Sequence, residues 1–309
     1  MKNIAILLLL FFMYNACSPR NNKEKTENSE KIEYEHISTA EYELEKPKRD
    51  PSAVLVLFGG FPEVAEDIKR EFKILKKARE HEIAIVFSNY NQKLWFEENE
   101  LDELANKLQK IFMDNKLPTD NIYFGGFSSG GNVALLAGDY LTENRTFDLT
   151  PSGIFIVDSP IELAGLYFSS EKNLKRNFSE VSVQESNWLI QTLSDRFGDP
   201  NKDLSNYEKY AVYSSKTGNI DNLRNLKNTK IRMYTEPDTL WWKENRMADY
   251  DQLNAYHIAK LSERLTLEGF TKVEFISTKN RGYRANGERH PHSWSIVSTD
   301  SLINWILNN

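Results

Sequence analysis

Cysteine is almost missing from this chain: of 309 residues only Cys17 is one. A sole cysteine cannot close an internal disulfide, so the fold must stand on its buried core alone. Histidine is scarce too, with five copies. The pair His290-x-His292 lacks a further Cys, Asp or Glu at the spacing of a recognisable zinc site, so no metal or other cofactor is expected. Excess positive charge is absent as well. Lys and Arg number 39 against 45 Asp and Glu, a net charge of -6, which argues against binding to a phosphate backbone and leaves nucleic acid out as a partner. The apolar run Ile4 to Met13 is too short to span a bilayer comfortably. No internal repeat or low-complexity block is visible.

The amino terminus has a composition of its own. Lys2, the apolar run and then Tyr14-Asn15-Ala16-Cys17 form the charged and hydrophobic regions of a secretory signal. The small Ala16 directly before the only cysteine resembles a bacterial lipoprotein signal. That resemblance implies residues 1–16 as a removed signal peptide and Cys17 as a lipidated first residue. The protein would then be anchored in the bacterial cell envelope, facing the periplasm or the surface; a secreted soluble protein and an uncleaved anchor are the alternatives. Residues 18–31 are polar and charged without apolar periodicity and cannot bury enough surface to order themselves, so 17–31 reads as a lipidated flexible tether.

Residues 32–309 are long enough for one large α/β domain. Tyr34, Tyr42 and Leu44 alternate with charged residues as in half-exposed strands of a hairpin. Ala53 to Phe58 is continuously apolar and ends in Gly59-Gly60, the mark of a strand buried on both faces. Helical spacing follows over 63–81, a buried strand over 83–87 and an amphipathic helix over 101–113. Further strands are predicted at 121–124, 153–157, 231–234 and 273–276, with helices over about 250–267 and 295–307. Strands alternating with helices imply a mainly parallel central sheet with helices on both faces.

The stretch Gly125-Gly126-Phe127-Ser128-Ser129-Gly130 follows the fifth of these strands and precedes a helical Val133-Ala134-Leu135-Leu136. Gly126, Ser128 and Gly130 match G-x-S-x-G, a strained strand-to-helix turn that lifts a serine hydroxyl above the sheet. Ser128 is therefore the candidate nucleophile. The helix starting at Ser129 would aim its first backbone N–H groups at a developing oxyanion.

With its elbow after the fifth strand, the order resembles the α/β-hydrolase fold over residues 33–309. The resemblance implies a serine hydrolase whose acid and base follow in the order Ser, acid, His. It places the base between the last strand and the last helix. There His292, followed by Ser293 and Trp294, resembles the base of esterases of this fold, with His290 as the alternative. His257 falls within a helical pattern and reads as structural. The acid is expected just past the strand ending at Tyr234, where Asp238 is the first candidate and Glu236 a second; Asp158, directly after the strand ending at Val157, is the third. A second oxyanion donor is implied in the loop after Phe58, at Gly60 or Phe61, beside that of Ser129.

Residues 161–228, between the sixth and seventh strands, are long for a plain connection and sit where hydrolases of this fold often carry a cap. Their aromatics, Phe178 and Trp188 among them, could line a substrate cleft, though most are expected to form the cap's own core. Arg281, Arg284 and Arg289 cluster before the proposed base and are candidates to hold a substrate anion, or else to pair with the protein's own acids. Trp241 and Trp242 are candidates to stack on a substrate, or else to pack the cap against the body. The resulting expectation is an acyl-enzyme hydrolase acting on carboxylic esters. A peptidase of the same fold is the alternative, and a non-catalytic ligand-binding lipoprotein on the same scaffold is the alternative of another class. Nothing in the sequence fixes the oligomeric state.

Overall fold

The computed structural model describes residues 32–90 and 93–308. The expected signal peptide, lipidated Cys17 and tether lie outside the described residues. Among the described residues eight strands form one sheet in the order β1-β2-β4-β3-β5-β6-β7-β8. They are β1 (Tyr34–Ser38), β2 (Tyr42–Pro47), β3 (Ala53–Phe58), β4 (Ile83–Ser88), β5 (Ile122–Phe127), β6 (Gly153–Val157), β7 (Lys230–Thr235) and β8 (Val273–Ser277). β2 runs antiparallel to both β1 and β4, and every pairing from β4 to β8 is parallel.

The continuous apolar runs form two cores because alternate residues face opposite sides of the sheet. Val54, Val56 and Phe58 of β3 enter one core, and Ala53, Leu55 and Leu57 the other. On the first side pack α3 (Glu100–Asp114), α4 (Ser129–Glu143) and α9 (Asn254–Leu267); on the second lie α1 (Ala65–Phe72), α2 (Leu75–Glu80) and α10 (Thr299–Leu307). In α3 the stripe Leu104, Ala105, Leu108, Ile111 and Phe112 recurs at helical spacing, and Glu100, Asp102 and Glu103 complement the positive N-terminal end.

The single helix expected over 63–81 is two helices, broken where Lys73 turns left-handed with φ 54°. Phe72 and Ile74 are both buried in the second core. Residues two apart in a continuous helix point about 200° away from each other, so the break is what lets both enter.

Between β6 and β7 stand α5 (Leu163–Arg176), α6 (Glu180–Phe197) and α7 (Ser205–Glu208). Tyr167, Leu193, Phe197 and Tyr207 form a small core of their own there, the fate expected for most of that segment's aromatics. Phe178 and Trp188 stay exposed. Arg196 binds both carboxylate oxygens of Glu97 at 2.6 Å and fastens α6 to the connection between β4 and α3.

His257 is buried on α9 with no partner for Nδ1. It packs so closely on α5 that a Cβ on Gly165 would stand 2.8 Å from its Nε2. Burial pushes its imidazole down to about 4. The folded state thus rejects a proton that the unfolded chain takes below its ordinary 6.5. Stability from this site is full above pH 6.5 and is lost as pH falls toward 4, by about 3 kcal/mol in all. His257→Gln should flatten this acid limb in urea unfolding measured between pH 7 and 4; an unchanged limb would refute the assignment.

Candidate active site

β5 delivers Ser128 onto a strained turn, with φ 51° and ψ -128°, a region sparsely populated by non-glycine residues. Its amide donates to the Val157 carbonyl at 3.0 Å, and the Gly131 amide donates to the Ser128 carbonyl at 3.0 Å. The flanking glycines are required by contact. A Cβ on Gly126 would lie 2.0 Å from the Gly130 oxygen, and one on Gly130 would lie 2.2 Å from the Phe58 oxygen and 2.5 Å from that of Gly59. No real side chain fits there.

His292 comes from the loop between β8 and α10. Its Nδ1 is 2.6 Å from Oδ2 of Asp158, the distance of an imidazole N–H donating to a carboxylate. Its ring lies 4.5 Å from that of Phe127, so the residue before the nucleophile also sets its plane. With Nδ1 committed, Nε2 is the nitrogen left to exchange a proton. Ser128 and His292 line one cavity of about 610 Å³.

Asp238, the first candidate for the acid, is not the partner of His292. Its Oδ1 accepts from the Trp241 amide at 3.1 Å and so caps α8 (Thr239–Arg246), while Oδ2 takes the Arg289 guanidinium at 2.6 Å. Glu236 is not the partner either. It is buried and accepts from Thr278 Oγ1 at 2.8 Å and from the amides of Arg281 and Gly282 at 2.9 and 3.2 Å, with Arg289 paired at 2.5 Å. Asp158, the third candidate, is buried, turns left-handed with φ 45° and is fastened by its amide to the Tyr234 carbonyl.

His290 packs against Trp241, with centroids 4.8 Å apart, and its Nδ1 has no partner. Burial first, and then the guanidinium of Arg284, push its imidazole down to about 3. Of the two oxyanion candidates in the loop after β3, the Gly60 amide is committed to the Glu63 carboxylate at 2.9 Å. The Phe61 amide donates to the Ser129 hydroxyl at 3.1 Å, a partner that can rotate away.

Of the candidate substrate residues, Arg289 is consumed by Glu236 and Asp238, and the side chain of Arg281 is exposed. Arg284 and Trp242 both reach cavities that touch His292, whereas Trp241 lies against Trp242 and His290.

Two features escaped sequence reasoning, and a third gives one of the cap aromatics its place. Glu63 accepts from the Gly60 amide and, at 3.1 Å, from the Trp294 indole, and burial raises its carboxyl above the ordinary range. Asn132, on the first turns of α4, donates to the carbonyls of Leu94 and Pro160, both 3.0 Å away, holding two walls of the cavity onto the elbow helix. Trp188 of α6 stacks on Phe61 at 6.4 Å across the cavity rim, both rings being more than half exposed. A G-F-P-E loop and an asparagine four residues past the serine were the only signals of the first two.

No protein-family model and no curated protein sequence matches the chain. Solved structures do resemble it. A hormone-sensitive lipase from a metagenome library is 13% identical over 90% of this chain and 84% of that one, with a TM-score of 0.55. An esterase/lipase from an uncultured bacterium is 12% identical over 91% and 87%, at 0.52. An S-formylglutathione hydrolase from Staphylococcus aureus is 11% identical over 90% and 99%, at 0.51. Together with the strand order, these likenesses show that the chain has the α/β-hydrolase fold.

The contact geometry gives a direct expectation. Gly130→Ala should destabilise the protein by about 1–3 kcal/mol through overpacking against backbone. Gly138→Ala, whose obstacle is the flexible end of Ile154, should cost less. Thermal unfolding of the two variants decides, and equal losses would contradict the elbow geometry.

Proposed function

We propose that this protein is a serine hydrolase that cleaves carboxylic esters through an acyl-enzyme. The observation that carries the reading is the 2.6 Å pair between Asp158 and His292 in the cavity that also holds Ser128 on its strained turn. Ser128 Oγ attacks the ester carbonyl carbon as His292 Nε2 takes its proton, and Asp158 stabilises the imidazolium that forms. The carbonyl oxygen becomes an oxyanion facing the amides of Phe61 and Ser129. Collapse breaks the bond to the alcohol, which leaves with the proton from His292. Water then attacks the acyl carbon by the same route, releasing the acid and restoring Ser128. The walls Phe61, Leu94, Trp95, Pro160, Leu166, Trp188 and Leu189 suit an apolar acyl or alcohol group. The names of the similar structures, lipases and esterases, agree with ester chemistry.

A fluorophosphonate probe should label the wild-type protein at Ser128 and fail on Ser128→Ala. Hydrolysis of p-nitrophenyl esters should exceed that of aminoacyl-arylamides; the reverse order would favour a peptidase. Asp158→Asn should lower kcat by about 10³–10⁴-fold by leaving the wrong histidine tautomer, whereas Asp238→Asn should stay within a few-fold of wild type and act on stability instead. A large kcat loss in Asp238→Asn with none in Asp158→Asn would overturn the assignment of the acid.

We further propose that the domain is held at a bacterial cell envelope through lipidated Cys17, which the signal-like residues before it support. Mass spectrometry of the mature protein should find diacylglyceryl-modified Cys17 at the amino terminus; an unmodified Cys17 would overturn this.

A further inference from the structure

A second cavity, of about 310 Å³, adjoins the first, and the two share Glu185, Trp242, Asn254 and His292 in their walls. Its remaining lining differs in character. It includes Arg246 at the end of α8 and Arg284 from the loop that carries the base, together with Asp158 and His290. Several arginines elsewhere in the domain have acid partners, Arg79 with Glu45, Arg196 with Glu97, Arg232 with Glu274 and Arg289 with Glu236 and Asp238. Among the described residues the guanidiniums of Arg246 and Arg284 make neither a hydrogen bond nor an ion pair. Arg284 lies with its guanidinium carbon 5.8 Å from the Phe127 ring centroid, directly before the nucleophile in sequence.

None of the acids nearby is a direct partner of either guanidinium. Asp158 is taken by His292. Glu63 accepts from both the Gly60 amide and the Trp294 indole through Oε2, and Arg284 acts on that carboxylate only through space. Glu185 is exposed on α6 and reaches neither arginine within ion-pair distance. His290 registers the local sign, since Arg284 and Arg246 both help to keep its ring neutral after burial has done most of it. Two guanidiniums with no ion-pair partner leave their N–H donors open to an incoming carboxylate.

We propose that this cavity is a subsite for a carboxylate on the substrate, so that the natural ester carries a free carboxylate held by Arg246 and Arg284 while its apolar part fills the larger cavity. Guanidiniums bind carboxylates through paired charge-assisted hydrogen bonds, which also fix orientation. The inference rests on the ester-hydrolase reading and adds the substrate class to it.

Two matched pairs of esters test it on the full-length protein. In 4-acetoxybenzoate and methyl 4-acetoxybenzoate the anion sits on the leaving group. In 4-nitrophenyl hydrogen adipate and 4-nitrophenyl methyl adipate it sits on the acyl side. In one pair kcat/KM for the anionic member should exceed that of its neutral partner by about tenfold at low salt and converge on it as salt rises. Arg246→Gln and Arg284→Gln should each reduce that anionic-to-neutral ratio by about fivefold or more, with Lys at either position restoring part of it. A ratio of one or below in both pairs for the wild type, or a ratio unmoved in the glutamine variants, would overturn the subsite. Calorimetry on Ser128→Ala protein with the same four compounds keeps the question separate from turnover. Preferred binding of an anionic member supports the subsite even if no ester is hydrolysed, and equal binding of both members rejects it even if Ser128 takes the fluorophosphonate probe.

Discussion

The site depends on one close approach, that of the first turn of α4 to the ends of its neighbouring strands. Gly130 lets the helix backbone rest on the carbonyls of Phe58 and Gly59, and at Gly131 a Cβ would strike the Ser159 hydroxyl at 1.9 Å. The turn therefore touches the end of β3 on one side and of β6 on the other. The left-handed Ser128 costs about 1–3 kcal/mol locally and persists only because surrounding contacts over-determine it. Those same contacts define the two adjacent connections. The end of β3 leads into the loop carrying the Phe61 amide, and the end of β6 leads into Asp158. The proposed nucleophile, oxyanion donor and acid are thus three consequences of one packing constraint.

The base is brought to this centre by separate means. Trp294, two residues past His292, is fully buried, stacks on Phe72 at 4.4 Å and donates its indole N–H to Glu63. Glu63 in turn holds the Gly60 amide. A single half-buried carboxylate therefore joins the loop after β3 to the loop carrying His292, and displacing either disturbs the other. Further up the base loop, Glu236 gathers the 278–282 turn and Arg289, which fixes the path of the chain on its approach to His292.

Much of this was legible in the sequence where local chemistry and global fold coincide. G-x-S-x-G and the continuous apolar runs report constraints that act within a few residues, so the tight turn at Ser128, the succession of strands and helices along the chain and the loop position of His292 were readable. The acid was not, because Asp158 and Asp238 both follow parallel strands at the same edge of the sheet. What separates them is tertiary. Trp241 and Arg289 claim Asp238, and neither contact has a signature in the spacing of the residues. Glu63 and Arg246 were invisible for the same reason: their neighbours, Trp294 at 231 residues' remove and the cavity beside His292, exist only once the chain is folded.

The unpaired arginines bear on the chemistry as well as on binding. In the proposed mechanism, proton transfer from Ser128 would create a positive imidazolium at His292, in a cavity wall shared with Arg246 and Arg284. The two guanidiniums would disfavour that charge by repulsion, while Asp158 would favour it. A substrate without a counter-charge would meet that repulsion during the step itself. A carboxylate seated between the guanidiniums would remove it, and would do so most where the imidazolium is fully formed. An interaction that strengthens toward the transition state raises kcat rather than merely lowering KM. Selectivity in this arrangement would therefore reside in turnover as much as in affinity, with Arg246 and Arg284 acting as a brake that the correct substrate releases.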